Sequence, residues 1–179
     1  MKRWRQLSTE IVYQNPWWTY KQDRFQIPDG PAGTYHYVYT RGSAMMVPVD
    51  AEGRLVVVRQ YRYLADRFSI EFPCGSIEEG KTSEEMADVE LRQEAQVRAG
   101  TLRKVGQFNP YNGVTCEMCD VYLATDLEPA PLEADATEEF EILRLTPAEL
   151  DAAIADGSLW DGMTIASWAI ARGHVVHGL

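Results

Sequence analysis

Between Ile70 and Gly100 the sequence runs IEFPCGSIEEGKTSEEMADVELRQEAQVRAG, and this stretch restricts the possible folds more than any other. A strand end meets a turn at Pro73 to Gly75, and an acidic loop follows in which Gly75 and Gly80 let the backbone fold tightly. Thr82 with Glu85 three positions later forms a capping box, so a helix begins there and is expected to run to about Arg98, with Gly100 ending it. On that helix Glu90 and Glu94 lie one above the other, with Gln93 beside them. Two like charges at this spacing cost roughly 0.2–0.5 kcal/mol unless a cation sits between them. A solvated acidic face gives the same pattern, so the pair alone does not choose between a metal site and plain surface.

The rest of the chain supplies strands around this helix. Residues Gln6 to Pro28 are rich in aromatics, with turn signals at Asn15-Pro16 and Pro28-Asp29-Gly30 and an extended excursion between them. Trp17, Trp18, Tyr20 and Phe25 cover the core, form a dimer surface or line a ligand pocket. TYHYVYT, AMMVPVD, RLVVVRQYRY and FSIEFP read as four successive strands, which implies an antiparallel or mixed sheet. Beyond the helix come RKVGQF and VTCEMCDVYLATDL as strands about a turn at Pro110 to Gly113, an acidic loop, and the strand FEILRLT. A second capping box, Thr146 to Glu149 with Pro147 at the first helical position, opens a helix stopped by Gly157; MTIASWAIAR forms another, ended by Gly173. This order gives an α+β fold.

Composition narrows the partners. The 179 residues carry a net charge of −10 with Lys and Arg scattered, which disfavours a nucleic-acid duplex and suits hard divalent cations that recruit anionic substrates. No apolar run nears the roughly 20 residues of a membrane span, and the basic start lacks an apolar segment, so a cytoplasmic protein is expected. Cys74, Cys116 and Cys119 are expected to be reduced. Cys116 and Cys119 form a CxxC read as part of a strand, where residues three apart face opposite ways, so it does not predict a zinc site. His36, His174 and His177 have no nucleophile in a recognisable arrangement, and neither a Gly-rich phosphate loop nor a dinucleotide fingerprint is present.

The segment from Gly75 resembles the Nudix box, keeping the glycine, Glu90, Leu91, Glu94 and the final aliphatic Val97. It departs at Lys81 for the first glutamate, Val89 for the arginine, Gln93 for the middle glutamate and Gln96 for the second glycine. The flanks RQYRY, EFPCG, NPYNGVTCEMCDVYLAT, ATEEFEILRLTPAEL, GSLWDGMTIASWAI and the N-terminal NPWWTYKQDRFQIPDG resemble the ADP-ribose pyrophosphatase branch. The resemblance covers almost the whole chain. It implies a mixed β-sheet sandwiched between α-helices over residues 41–179, and a small β element over residues 1–40 that serves dimerisation and substrate contact.

The resemblance also implies roles. Glu90, Glu94, the backbone carbonyl of Cys74 and the neutral amide oxygen of Gln93 would hold magnesium, with manganese possible. Glu138, or its neighbour Glu139, would position or deprotonate the attacking water. Arg62 would grip phosphate or the terminal ribose, and Trp17 or Trp18 would stack a nucleobase. Loss of both Lys81's and Val89's counterparts removes a structural ion pair together, and Gly100 would replace Gln96's missing glycine as the helix stop. The implied activity is cleavage of the diphosphate linkage of a nucleoside diphosphate derivative, ADP-ribose or a sugar nucleotide, by a homodimer. The alternatives are a Nudix protein that binds nucleotide without turnover and a scaffold that only dimerises.

Overall fold

In the computed structural model, which describes residues 1–134 and 137–178, the chain divides into two units. The first comprises Met1–Arg41 and Asn109–Met118. Strands β1 (Arg5–Gln14), β2 (Thr19–Gln26) and β3 (Ala32–Tyr39) form an antiparallel sheet in that order. The β1–β2 turn is closed by the Asn15 side chain, whose Oδ1 accepts the N–H groups of Trp17 (3.0 Å) and Trp18 (2.9 Å). Strand β1 is an edge strand exposed along its whole length. A division at residue 40 leaves out residues 109–118, which are tied to β3: Val38 donates its N–H to Val114 O (2.8 Å), and Tyr35 its hydroxyl to Gly113 O (3.1 Å).

The second unit comprises Gly42–Phe108 and Cys119–Leu179. Its strands are β4 (Ser43–Pro48), β5 (Leu55–Arg62), β6 (Arg67–Glu71), β7 (Cys74–Ser76), β8 (Val97–Phe108), β9 (Cys119–Pro129) and β10 (Glu141–Leu145). One sheet has the order β7-β4-β9-β8, with β4 and β9 parallel and the other pairs antiparallel; the second has the antiparallel order β10-β5-β6. The helices are α1 (Ser83–Glu94), α2 (Pro147–Asp156) and α3 (Gly162–His177).

Strand β4 shows why its sequence is apolar throughout. Its residues alternate between faces. Ala44 and Met46 pack with Ala87 and Leu91 of α1, whereas Met45 and Val47 pack with Trp168 and Ala171 of α3. Both faces are covered, so every residue from Ser43 to Pro48 is buried. The mixed sheet between helices is the expected architecture.

Four local expectations are corrected. The four successive strands fall into three different sheets instead of one, because β3 joins the N-terminal sheet, β4 the mixed sheet and β5 and β6 the third. Helix α1 stops at Glu94, not Arg98: Ala95 is its C-cap and Gln96 takes the left-handed conformation (φ 59°), filling the role of the missing glycine, so that Gly100 lies within β8. Helix α3 runs through Gly173 to His177, with Gly178 left-handed at its C-cap. The CxxC is not on one strand, since β9 begins at Cys119, which is buried, while Cys116 is exposed in the first unit. No helix among the described residues is long and apolar enough to cross a membrane.

Candidate active site

Strand β7 lies beside β4 and carries the turn glycine to the flank of α1. The glycine is required by close approach: a Cβ on Gly75 would overlap the Glu90 carboxylate. The start of α1 is fixed by the expected capping box, in which Thr82 Oγ1 accepts the Glu85 N–H (3.2 Å) and Glu85 returns a carboxylate oxygen to the Thr82 N–H (2.8 Å). Ser83 further anchors it to β9, donating to Asp120 (2.7 Å) and meeting the Tyr122 hydroxyl (2.7 Å), while Lys104 pairs with Asp120 (2.7 Å). These contacts fasten the start of the helix to β9.

At the other end of α1, Glu94 is 4% exposed and accepts the backbone N–H of Cys74 (3.1 Å). Burial, with the Glu90 carboxylate as the next cause and Glu138 adding a smaller repulsion, pushes its pKa up to about 9. The structure thus brings Glu90, Glu94 and Cys74 together, with Glu138 within electrostatic reach. Gln93 is directed elsewhere: its amide donates to Glu133 O (3.2 Å), on the segment after β9.

Arg62 is committed to a neighbour that the sequence reading passed over. Its Nε donates to Glu71 Oε1 (2.8 Å) and its Nη2 to Glu71 Oε2, a bidentate pair, while Gln60 adds a longer contact at 3.4 Å. That hydrogen bonding, ahead of every other influence, raises the Arg62 pKa; the Glu94 and Asp161 charges contribute less. Glu71 is 2% exposed. The available signal was an acid between Ile70 and Phe72 in an otherwise apolar strand, since a carboxylate there must have a partner.

Glu138 and Glu139 precede β10 and are exposed. They line a cavity of about 530 Å³ with Arg59, Tyr61, Phe68 and Glu141. Trp17 and Trp18 belong to the first unit, at the β1–β2 turn, where Trp17 is 78% exposed and Trp18 tilts against Tyr13.

The donor chemistry fits a divalent cation, because two facing carboxylates and a peptide carbonyl are hard oxygen donors. The set is sparse. Among the described residues no three His, Cys, Asp or Glu side chains gather as a metal cluster.

Comparison with known proteins decides the family. Residues 39–166 match the family model of the NUDIX domain, and residues 4–38 that of the nucleoside diphosphate sugar hydrolase N-terminal domain. The chain belongs to the Nudix family. It is similar to an ADP-ribose pyrophosphatase of Bacillus subtilis (strain 168), 28% identical over 141 residues that cover 78% of this chain and 76% of the relative. It is also similar to the ADP compounds hydrolase NudE of Escherichia coli (strain K12), at 21% identity over 168 residues, covering 93% of this chain and 90% of that one. A crystal structure of an ADP compounds hydrolase superposes with a TM-score of 0.83 at 20% identity, covering 96% and 94% of the two chains. The Nudix fold and the ADP-ribose pyrophosphatase-like branch implied by the eroded box and its flanks are therefore established, and with them the class of Nudix pyrophosphohydrolases.

Proposed function

We propose that this Nudix enzyme hydrolyses the diphosphate linkage of ADP-ribose or a sugar nucleotide with magnesium, or manganese in its place. The observation that carries the reading is Glu94, a buried carboxylate set against Glu90 and held by the Cys74 N–H. Glu90, Glu94 and the Cys74 carbonyl would hold the cation. When bound, such an ion neutralises diphosphate oxygens and acidifies the attacking water. Glu138, exposed on the loop before β10 and coupled to Glu94 by charge, takes the proton of that water, with Glu139 the adjacent candidate. Arg62, oriented by Glu71, turns its remaining donors to the phosphate or terminal ribose. Trp17, the more exposed ring, or Trp18 stacks the nucleobase.

The N-terminal sheet supports a homodimer. The uncovered edge strand β1, with Ile11, Val12 and Tyr13 exposed beside Trp17, offers backbone and apolar surface to a second copy. A cytoplasmic protein without nucleic-acid or membrane partners fits the acidic, scattered charge.

The test is a phosphate-release screen over nucleoside diphosphate derivatives with magnesium and manganese. Cleavage of at least one derivative, lost in Glu94→Gln, is expected; no cleavage of any, or an unaffected Glu94→Gln, would sink the reading. A second reading, nucleotide binding without turnover, draws on the engagement of Gln93 with Glu133, which leaves two helical carboxylates at the site. Gln93→Glu separates them: a weak enzyme speeds up, and a binding protein stays silent.

A further inference from the structure

The cavity beside Glu138 has a floor that the hydrolytic reading leaves unused. Tyr61 on β5 and Phe68 on β6 are directly opposed in the sheet register and therefore share one face. Their rings meet edge-on at 6.0 Å, and both are exposed, Tyr61 by 49% and Phe68 by 58%. Each is nevertheless fixed. The Tyr61 hydroxyl donates to Asp66 (2.8 Å), and the Arg59 guanidinium lies 4.5 Å from the Phe68 ring centroid while pairing with Glu141 at 3.0 Å. Large rings held open to solvent contribute little to folding, but rings already fixed lose little entropy when a ligand settles on them.

The rim of the cavity differs from its floor. Glu138, Glu139 and Glu141 present carboxylate oxygens around about 530 Å³ of space, and with Arg59 balanced by Glu141 the lining stays net negative, so it accepts hydrogen bonds and suits a neutral polyol better than a phosphate. A sugar ring is complementary on both counts, with hydroxyl donors around its edge and C–H groups on its faces. We infer that the Tyr61–Phe68 pair is the platform for the sugar beyond the diphosphate, with Glu139 and Glu141 accepting from its hydroxyls. The platform thus sets which nucleotide derivatives are taken. This assignment rests on the hydrolytic reading for the place of the diphosphate, but its test does not require turnover.

The experiment is calorimetric binding, with magnesium, of the α,β-methylene analogue of ADP-ribose and of α,β-methylene ADP, which lacks the second sugar. Phe68→Ala is expected to weaken the ADP-ribose analogue roughly tenfold and the ADP analogue by less than about twofold, and Tyr61→Ala to act in the same direction. Phe68→Trp should restore binding. Equal weakening of both analogues would place the base on the rings and overturn the assignment, as would unchanged affinities or failure of either analogue to bind wild type. Hydrolysis of ADP-ribose, assayed separately, keeps the two ideas apart. The binding difference without any hydrolysis sinks the activity and leaves the platform, whereas hydrolysis without the difference does the reverse.

Discussion

Glu71 and Glu94 are buried to nearly the same degree, 2% and 4% exposed, in the same unit of the protein, yet their surroundings treat them oppositely. Glu71 receives two donors from Arg62 and a third contact from Gln60. Glu94 receives one peptide N–H and faces the carboxylate of Glu90, and the attraction of Arg62 is outweighed by that repulsion and by burial. Burial of a charge thus says little about its use. A buried carboxylate closed by an internal arginine is part of the framework, while one set against another carboxylate must take up a proton or, as proposed for Glu94, a cation from solution.

The contrast breaks most visibly in catalysis. Glu94→Gln is expected to lower kcat/KM for the cleaved nucleotide about a thousandfold, the order of the charge stabilisation that a divalent cation supplies. Gly75→Ala should act in the same direction, because its Cβ displaces the Glu90 carboxylate. Steady-state kinetics with magnesium measure both, and a Glu94→Gln enzyme at wild-type speed would end the distinction between the two glutamates.

Stability should sort them the other way. Glu71→Gln strands the Arg62 guanidinium and is expected to cost about 2 kcal/mol, less than breaking a fully enclosed pair because Arg62 can turn to water. Glu94→Gln in the metal-free protein replaces a carboxyl group that is already largely protonated at pH 8 and should not destabilise there. Denaturant melts of the two variants, with chelator, give the comparison directly; two equal losses would show that both carboxylates are framework.

The pH dependence follows with a definite sign. The folded protein holds the Glu94 proton up to about pH 9, whereas the unfolded chain releases it near pH 4.5, so across that window the native state binds more protons. This group's contribution is therefore full below pH 4.5 and is lost as pH rises toward 9. Metal-free protein should melt on the order of 10 °C lower at pH 8.5 than at pH 5 from this group alone, and Glu94→Gln or added magnesium should flatten the slope. A slope unchanged by both would place its origin elsewhere.

The sequence made one of these glutamates visible and hid the other. Glu94 was legible because helical spacing and the box glycine placed it beside Glu90, and the capping box at Thr82 set the start of the helix. Glu71 was not, because its partner Arg62 lies nine positions away on the neighbouring strand, and pairing of β5 with β6 brings them together. The same limit hid the Tyr61–Phe68 floor, a cross-strand pair. Most strands are legible as apolar runs, but β7 is not, because Cys74 to Ser76 lie where a turn is expected at Pro73 to Gly75, and neither is the distribution of strands among three sheets, since adjacency along the chain does not decide which edge a strand joins. Gln93 shows a different limit: helical position brings it beside the two glutamates, but spacing does not reveal that its amide nitrogen donates to Glu133 O, distant in sequence.

The end of α1 offers the smallest and most discriminating change. Gln96 holds a left-handed conformation that costs a side-chain-bearing residue about 1 kcal/mol relative to glycine. It sits two residues after Glu94, so the turn it makes fixes where the helix, and with it the buried carboxylate, comes to a stop. Gln96→Gly should stabilise the protein by about 1 kcal/mol at every pH and leave the slope between pH 5 and 8.5 as in wild type, because it relieves the backbone without touching the charges. If thermal melts show the slope flattening as well, Glu94 is pressed into its pocket by the strained turn. Its raised pKa would then be a property of the helix terminus and not of the Glu90–Glu94 pair.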